Sequence, residues 1–242
     1  MRKISFSLLL FTAFTCGAQV TDSLNTAKNC TYMNTAEKEM IYEINLVRNN
    51  PGSYLQFIEP LLEKAKKTLS ENGKGTKNYS LSFITTTENG KSHQAIDTTW
   101  HFTNDEEVKA LNSLVDDLKS IGKLSILLPD NGIYRAAKKH EADQHAHDWK
   151  LMHTGSDGSL PWERIIKFSP SMTSGGENIA GQSGSPTPRE IVILLLVDSG
   201  IPGYGHRYNL LNPQWTHVAC TGEKFKGNMF WWIQNFGAKK KK

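Results

Sequence analysis

The sequence predicts a mixed α/β domain, and three observations carry that prediction. Segments with apolar residues three and four apart follow helix-start signals near Asn34, Asn104, Asp130 and Thr187. Two strand-like runs, Trp215 to Thr221 and Met229 to Phe236, close the chain around a turn at Lys226-Gly227-Asn228. The small pair Ala136-Ala137 sits in a helical segment, where it allows close packing against a sheet or another helix. With 242 residues, the chain is long enough for one or two domains and a substantial core.

The elements follow in chain order. Met1-Arg2-Lys3, the apolar run Ile4 to Phe14 and Cys16-Gly17-Ala18 have the three parts of a secretory signal, with cleavage expected before Gln19. The run is too short to span a bilayer as an anchor, and Phe14-Thr15 is a poor context for lipid on Cys16. No later stretch is apolar enough to span, so a secreted or periplasmic chain is expected. Residues 19–35 are polar and read as a loose leader. A helix starts near Asn34, with Glu37 three residues on and Met40, Ile41, Ile44 and Val47 inside, and breaks before Pro51. A second runs through Tyr54, Phe57, Ile58, Leu61 and Leu62.

Strands at Tyr79 to Thr86 and Gln94 to Phe102 flank the hairpin signal Asn89-Gly90. A helix capped by Asn104 follows, with Val108, Leu111, Leu114, Val115 and Leu118 on one face and Gly122 ending it. Residues 64–122 read as an insertion peripheral to the main domain. Deleting them should leave the helix-sheet core, with some stability lost where Leu111 and Leu118 pack. Asp130 caps a helix from Asn131 to Leu151, with Ile133, Ala136, Ala137, His140, Gln144 and His147 along one side. Pro161 to Phe168 forms a short helix carrying Glu163 and Arg164. The aromatic closing strand reads as sheet core.

Charge excludes little. The formal net charge is +4. The signal carries two positive charges and Lys239 to Lys242 four, which leaves the body at about −2. The basic balance therefore belongs to a tail and gives no support for nucleic-acid binding. Cys30 and Cys220 remain after cleavage; an exported pair can form a disulfide, but the sequence does not show whether they meet.

The chemistry concentrates between Gly175 and Pro213. Thr187, Pro188 and Glu190 make a capping box with proline in the first turn, and Ile191 to Val197 is apolar all round. A buried strand competes for that run, but the cap and Gly200 favour a helix buried on most sides. It delivers Asp198 near His206. Glu177 lies in Gly176-Glu177-Asn178 and His153 in a loop containing Thr154-Gly155-Ser156-Asp157-Gly158. We expect His153, Glu177, Asp198 and His206 to converge on one cleft, although each alone is more often structural. Their Gly-rich settings point to loops, where sites concentrate. Other chemistry is excluded by spacing. His140-Glu141 has Gln144 where a zinc-protease helix needs its second histidine, so His140 reads as a packed core residue and His145 as a surface one. There is no GxSxG elbow, phosphate loop or dinucleotide fingerprint. Two imidazoles predict a weak, exchangeable divalent metal, because catalytic zinc normally takes three protein ligands.

These motifs together resemble the CAP superfamily of cysteine-rich secretory proteins, antigen 5 and pathogenesis-related protein 1, in its bacterial SCP-like extracellular branch. The resemblance rests on Gly176 to Ala180 (GENIA), Gly205-His206-Arg207 (GHR), the Ala-Ala helix ending near Met152-His153-Thr154-Gly155, the aromatic closing strand, and Asn45 and Arg48 in the first helix. It covers about residues 36–60 and 124–237. It implies an α-β-α sandwich, here with the inserted hairpin-plus-helix region at 64–122 inside a domain over 36–238. It also implies a His/Glu/Glu/His cleft able to bind zinc. His153, Glu177 and His206 match by motif. The second glutamate has no exact match; Asp198, at the end of the same helix, is its counterpart, and its shorter side chain reaches less far toward a metal. Two functions follow as expectations. The favoured one is a secreted binding module whose cleft, loaded with a divalent metal such as zinc, recognises a lipid, glycan or envelope component. The alternative is a metal- or His-dependent extracellular hydrolase with a carboxylate as general base.

Overall fold

The computed structural model describes residues 23–88, 91–147, 152–224 and 228–239, with residues 77–101 described by their backbone alone. The expected signal at 1–18 and residues 240–242 of the tail lie outside the described residues.

Helix α1 is Thr35–Asn49, closed at its start by a reciprocal Asn34–Glu37 capping box and at its end by Asn50 before Pro51. Its inner face is Met40, Ile41, Ile44 and Val47, all fully buried. After the turn Pro51–Tyr54, α2 runs Leu55–Asn72 and buries Ile58, Leu62 and Ala65, while Leu61 stays partly exposed. Strands β1 (Lys77–Glu88) and β2 (Lys91–Thr103) form an antiparallel two-stranded sheet of their own. Helix α3 is Asn104–Ser120, capped by Thr103 with Glu106, one residue earlier than the sequence places the cap.

The short strand β3 (Leu128–Pro129) leads into α4, Asn131–Ala146, whose N-cap is Asp130. The helix therefore ends earlier than expected; His147 caps it, and residues 148–151 are outside the described residues. Helix α5 is Pro161–Phe168, β4 is Met172–Ser183 and α6 is Pro188–Val197. A tight turn at Pro202–Tyr204 precedes α7, Gly205–Leu211, and β5 (His217–Lys224) and β6 (Met229–Lys239) complete the chain.

The main sheet has the order β3-β5-β6-β4, parallel between β3 and β5 and antiparallel elsewhere. Side chains alternate between its two faces. On one face Ile179, Trp231 and Ile233 pack against Ala137 of α4, and Gly175 lies against Ile165 of α5. On the other, Trp232 and Phe236 join the large core built with α1, α6 and α7. Helices thus cover both faces of a mixed sheet, which is the α-β-α sandwich.

Two sequence expectations need correcting. The leader is not loose from Leu24 onward. Leu24, Ala27 and Met33 are buried, and Asn45 Nδ2 donates to the Leu24 carbonyl, Thr26 Oγ1 and the Leu127 carbonyl. Residues 64–122 are also not uniformly peripheral. The hairpin forms its own sheet, but α3 buries Ala110, Leu111, Leu114, Val115 and Leu118, and most of these belong to the main core. Helix α6 is open on one side, since Leu194 is exposed while Ile191, Val192, Leu195 and Leu196 are buried.

The Asn45–Arg48 pair clasps backbone. Arg48 Nε donates to the Ser125 carbonyl and Nη1 to those of Leu210 and Asn212, with no carboxylate partner among the described residues. Burial pushes its guanidinium down to about 10. One end of the first helix thereby ties the leader, the segment before β3 and the end of α7 together. Cys30 and Cys220 are free thiols, Cys30 half-buried and Cys220 fully buried, with burial pushing the Cys220 thiol well up.

Candidate functional site

The site is built around edge strand β4. Gly176-Glu177-Asn178 lies in the middle of that strand and not in a loop. Its glycine is required by packing: a Cβ at Gly176 would sit 2.8 Å from Asn209 Oδ1 and 3.0 Å from the Trp215 ring. Because alternate residues face opposite ways, Glu177 points into the α4–α5 layer and Asn178 into the α6–α7 layer.

Glu177 is completely enclosed at its side chain. Its Oε1 lies 3.0 Å from His153 Nδ1, and its Oε2 accepts from Arg164 Nη2 at 2.9 Å. Arg164, on α5, also donates to the carbonyls of Ser159 and His153, so it ties the His153 loop to the glutamate beneath it. His153 is half exposed, at 49 %.

On the other side, Asp198 ends α6 in the left-handed region, with φ 55. Its Oδ1 lies 2.7 Å from His206 Nδ1, and its Oδ2 accepts from the His206 backbone N–H at 2.9 Å. That double contact fixes both the imidazole and the start of α7, so His206 opens a short helix and does not sit in a loop. Its ring is 21 % exposed.

The four expected residues therefore form two carboxylate–imidazole pairs, one in each layer, and no hydrogen bond or ion pair among the described residues joins one pair directly to the other. The link runs through two asparagines. Asn209 Nδ2 donates to the Glu177 carbonyl and to Asn178 Oδ1, and Asn178 Nδ2 donates to the His206 carbonyl and Gln234 Oε1. Sequence reasoning gave Asn178, Asn209 and Arg164 no role. The available signals were Asn178 directly after Glu177 and Asn209 three residues after His206, on the same side of α7.

His140 is buried as expected, but it also stands behind the first pair. Its Nε2 lies 2.9 Å from the Met152 carbonyl and 3.7 Å from Glu177 Oε1, while its Nδ1 is buried without a hydrogen-bond partner, 4.0 Å from Asp143 Oδ2. His145 is exposed. Desolvation pushes the His140 imidazole below the ordinary histidine value; Glu177 opposes the shift, and Arg164 adds to it. The folded state then holds His140 neutral, whereas the unfolded chain binds a proton near pH 6.5. Its contribution to stability is complete above that value and is lost as pH falls through it. We expect the melting temperature to drop between about pH 7.5 and 5.5, with this one group tilting stability by at most about 1.4 kcal/mol per pH unit. A His140→Gln variant should melt with a flatter pH profile, and an unchanged slope by calorimetry would remove His140 as its source.

The donor set limits any metal. With both Nδ1 atoms held by carboxylates, each imidazole has Nε2 left to coordinate. Both oxygens of Glu177 and of Asp198 are already engaged. Among the described residues, no group of three or more His, Cys, Asp or Glu is arranged to hold a metal ion. The residues do not fit a closed structural zinc site.

Comparison with known proteins bears on the same residues. The model of the Cysteine-rich secretory protein family, CAP, matches residues 113–236, just over half of the chain and the whole span from His153 to His206. No curated protein matches the chain. Among solved structures, the chain is similar to an outer surface protein from Borrelia burgdorferi, at 23% identity over 56% of this chain and 94% of that one, with a TM-score of 0.41. It is also similar to an extracellular protein containing a SCP domain from Bacillus anthracis str. Ames, at 15% identity over 72% of this chain and 71% of that one, with a TM-score of 0.38. The extent of the family match, together with the sandwich and its paired histidines, makes this chain a member of the CAP family.

Proposed function

We propose that the protein is an exported binding module whose cleft lies along β4 and recognises a lipid, glycan or other envelope component. The observation that carries this reading is the pair of imidazoles, each held at Nδ1 by a buried carboxylate and each partly open to solvent. Such rings are fixed in direction without being consumed by the fold, so they can accept or donate a hydrogen bond to a ligand or hold a divalent ion. A bound zinc would supply Lewis acidity, and His153 and His206 would hold it. Among the described residues, neither imidazole hydrogen-bonds a serine, threonine or cysteine that it could activate, which favours binding over nucleophilic catalysis. No helix among the described residues is long and apolar enough to cross a membrane. Export rests on the basic, apolar and Cys-Gly-Ala pattern of residues 1–18 and is checked by the mass of the mature chain, which should begin at Gln19.

Calorimetric zinc titration tests the metal-binding part. Weak binding is expected at about pH 7.5 and weaker binding at about pH 5.5, because protons compete for the same nitrogen lone pairs. The His153→Ala/His206→Ala double variant should lose the ion while keeping its circular dichroism. Undiminished zinc binding in that folded variant would move the site elsewhere. Metal-dependent turnover of a peptide, ester or cell-wall substrate that disappears with His206→Ala would replace the binding reading with a hydrolytic one.

A further inference from the structure

A cavity lies on the side of α7 away from His206. It encloses about 380 Å³ between the end of α3 and the Pro202–Tyr204 turn. Tyr204, Arg207, Tyr208 and Leu211 line it, at the spacing of one helical face, whereas His206 and Asn209 serve the cleft. Ile121, Leu124 and Pro213 complete apolar walls. The volume is at the lower end of the range for small-molecule sites.

Its polar groups narrow the ligand. Arg207 has no donor left to offer: Nε donates to the Leu196 carbonyl, Nη1 to Ser113 Oγ and Asp117 Oδ2, and Nη2 to the carbonyls of Ala110 and Val197. Asp117 cancels its charge at 2.9 Å, so the cavity does not attract an anion. The other Asp117 oxygen has no partner among the described residues and can accept a hydrogen bond. Asn212 lines the cavity at 4 % exposure; its Oδ1 accepts from the Gln214 N–H, and its amide nitrogen has no partner among the described residues. That nitrogen is not among the buried atoms lacking a partner, so it keeps access to the cavity and can donate to a neutral oxygen there.

The wall itself is strained. Tyr204 is one of two non-glycine residues with positive φ among the described residues, at φ 52, directly after Gly203 at φ 74. Its ring lies 4.1 Å from the Arg207 guanidinium carbon, while Tyr208 stands exposed beside it. Left-handed backbone at a tyrosine persists only where its surroundings hold it, and such positions concentrate at ligand clamps.

We infer that this cavity binds a small uncharged ring compound bearing a hydroxyl group. The ring packs between the tyrosines and the aliphatic wall, and the hydroxyl accepts from Asn212 or donates to Asp117. The probe is 2-naphthol, measured on the full chain by saturation-transfer NMR and fluorescence titration. We expect sub-millimolar binding, with naphthalene-2-carboxylate at least about tenfold weaker because its charge meets Asp117 and finds no free guanidinium donor. Tyr208→Ala, at an exposed position, should keep its circular dichroism and bind 2-naphthol at least about fivefold more weakly. No saturation transfer up to the solubility of 2-naphthol, carboxylate binding as tight as naphthol binding, or undiminished binding in folded Tyr208→Ala would each overturn the assignment.

Discussion

Replacing Arg207 by alanine should lower the unfolding free energy by about 3–5 kcal/mol, the range for removing one partner of a buried, fully bonded charge. The guanidinium is 3 % exposed at its side chain. It donates to the carbonyls of Leu196 and Val197, two of the last carbonyls of α6, which have no partner inside their own helix. It also donates to the Ala110 carbonyl, Ser113 Oγ and Asp117 on α3. Alanine would leave these acceptors facing a void at the meeting point of three helices. Lysine keeps the charge but has three donors on a flexible stem where a planar fork is used, and it should lose about half as much. Urea denaturation of the three proteins gives the comparison. A loss below about 1 kcal/mol for alanine would mean that water or a neighbouring donor takes over the carbonyls. In the Gly205-His206-Arg207 motif, the histidine pairs with Asp198 and stays partly exposed, whereas the arginine is spent on the fold.

How much of this was legible depends on how local each signal is. Helix starts at Asn34, Asp130 and Thr187 were readable because a cap and its partner lie three residues apart, and all three caps form. The cap of α3 fell one residue early, where Thr103 and Asn104 compete for the same role. Glu177 was readable as a partner for His153 but not as part of a strand. Its register is set by β6, through Glu177 opposite Asn235, and Gly176 resembles a turn glycine although it makes room for Asn209. The pairing of Asp198 with His206 followed from eight residues of separation across one helix end. The roles of Arg164 and Asn209 did not follow, since they reach Glu177 from 13 and 32 residues away and from different layers. The same limit applied to α3. Its apolar face was visible in the sequence, but its docking surface was not, and the family match begins at residue 113, inside that helix.

The deletion prediction rests on that helix. Removing residues 64–122 and joining Glu63 to Lys123 through a short linker should abolish cooperative folding, reversing the expectation from sequence. Leu111, Leu114, Val115 and Leu118 are buried on α3, and burial of each such side chain contributes about 1.5–3 kcal/mol. Together they match the whole net stability of an ordinary domain, about 5–15 kcal/mol. The deletion also removes Ala65, exposes Ile58 and Leu62 on α2, and takes away three acceptors of Arg207. Replacing only residues 78–102 by Asn-Gly should behave differently. The Thr76 carbonyl accepts from Asn104 N–H at 3.0 Å, and Lys77 pairs with Thr103, so the two ends already stand where a two-residue hairpin turn closes. Thr103 stays in place to cap α3. This shorter protein should keep its circular dichroism and melt within about 5 °C of the full chain, the shift that roughly 1–2 kcal/mol produces in a domain of this size. A cooperative thermal transition in the 64–122 deletion would show that the sandwich closes without α3. Loss of that transition in the hairpin replacement would show that β1 and β2 also support the core.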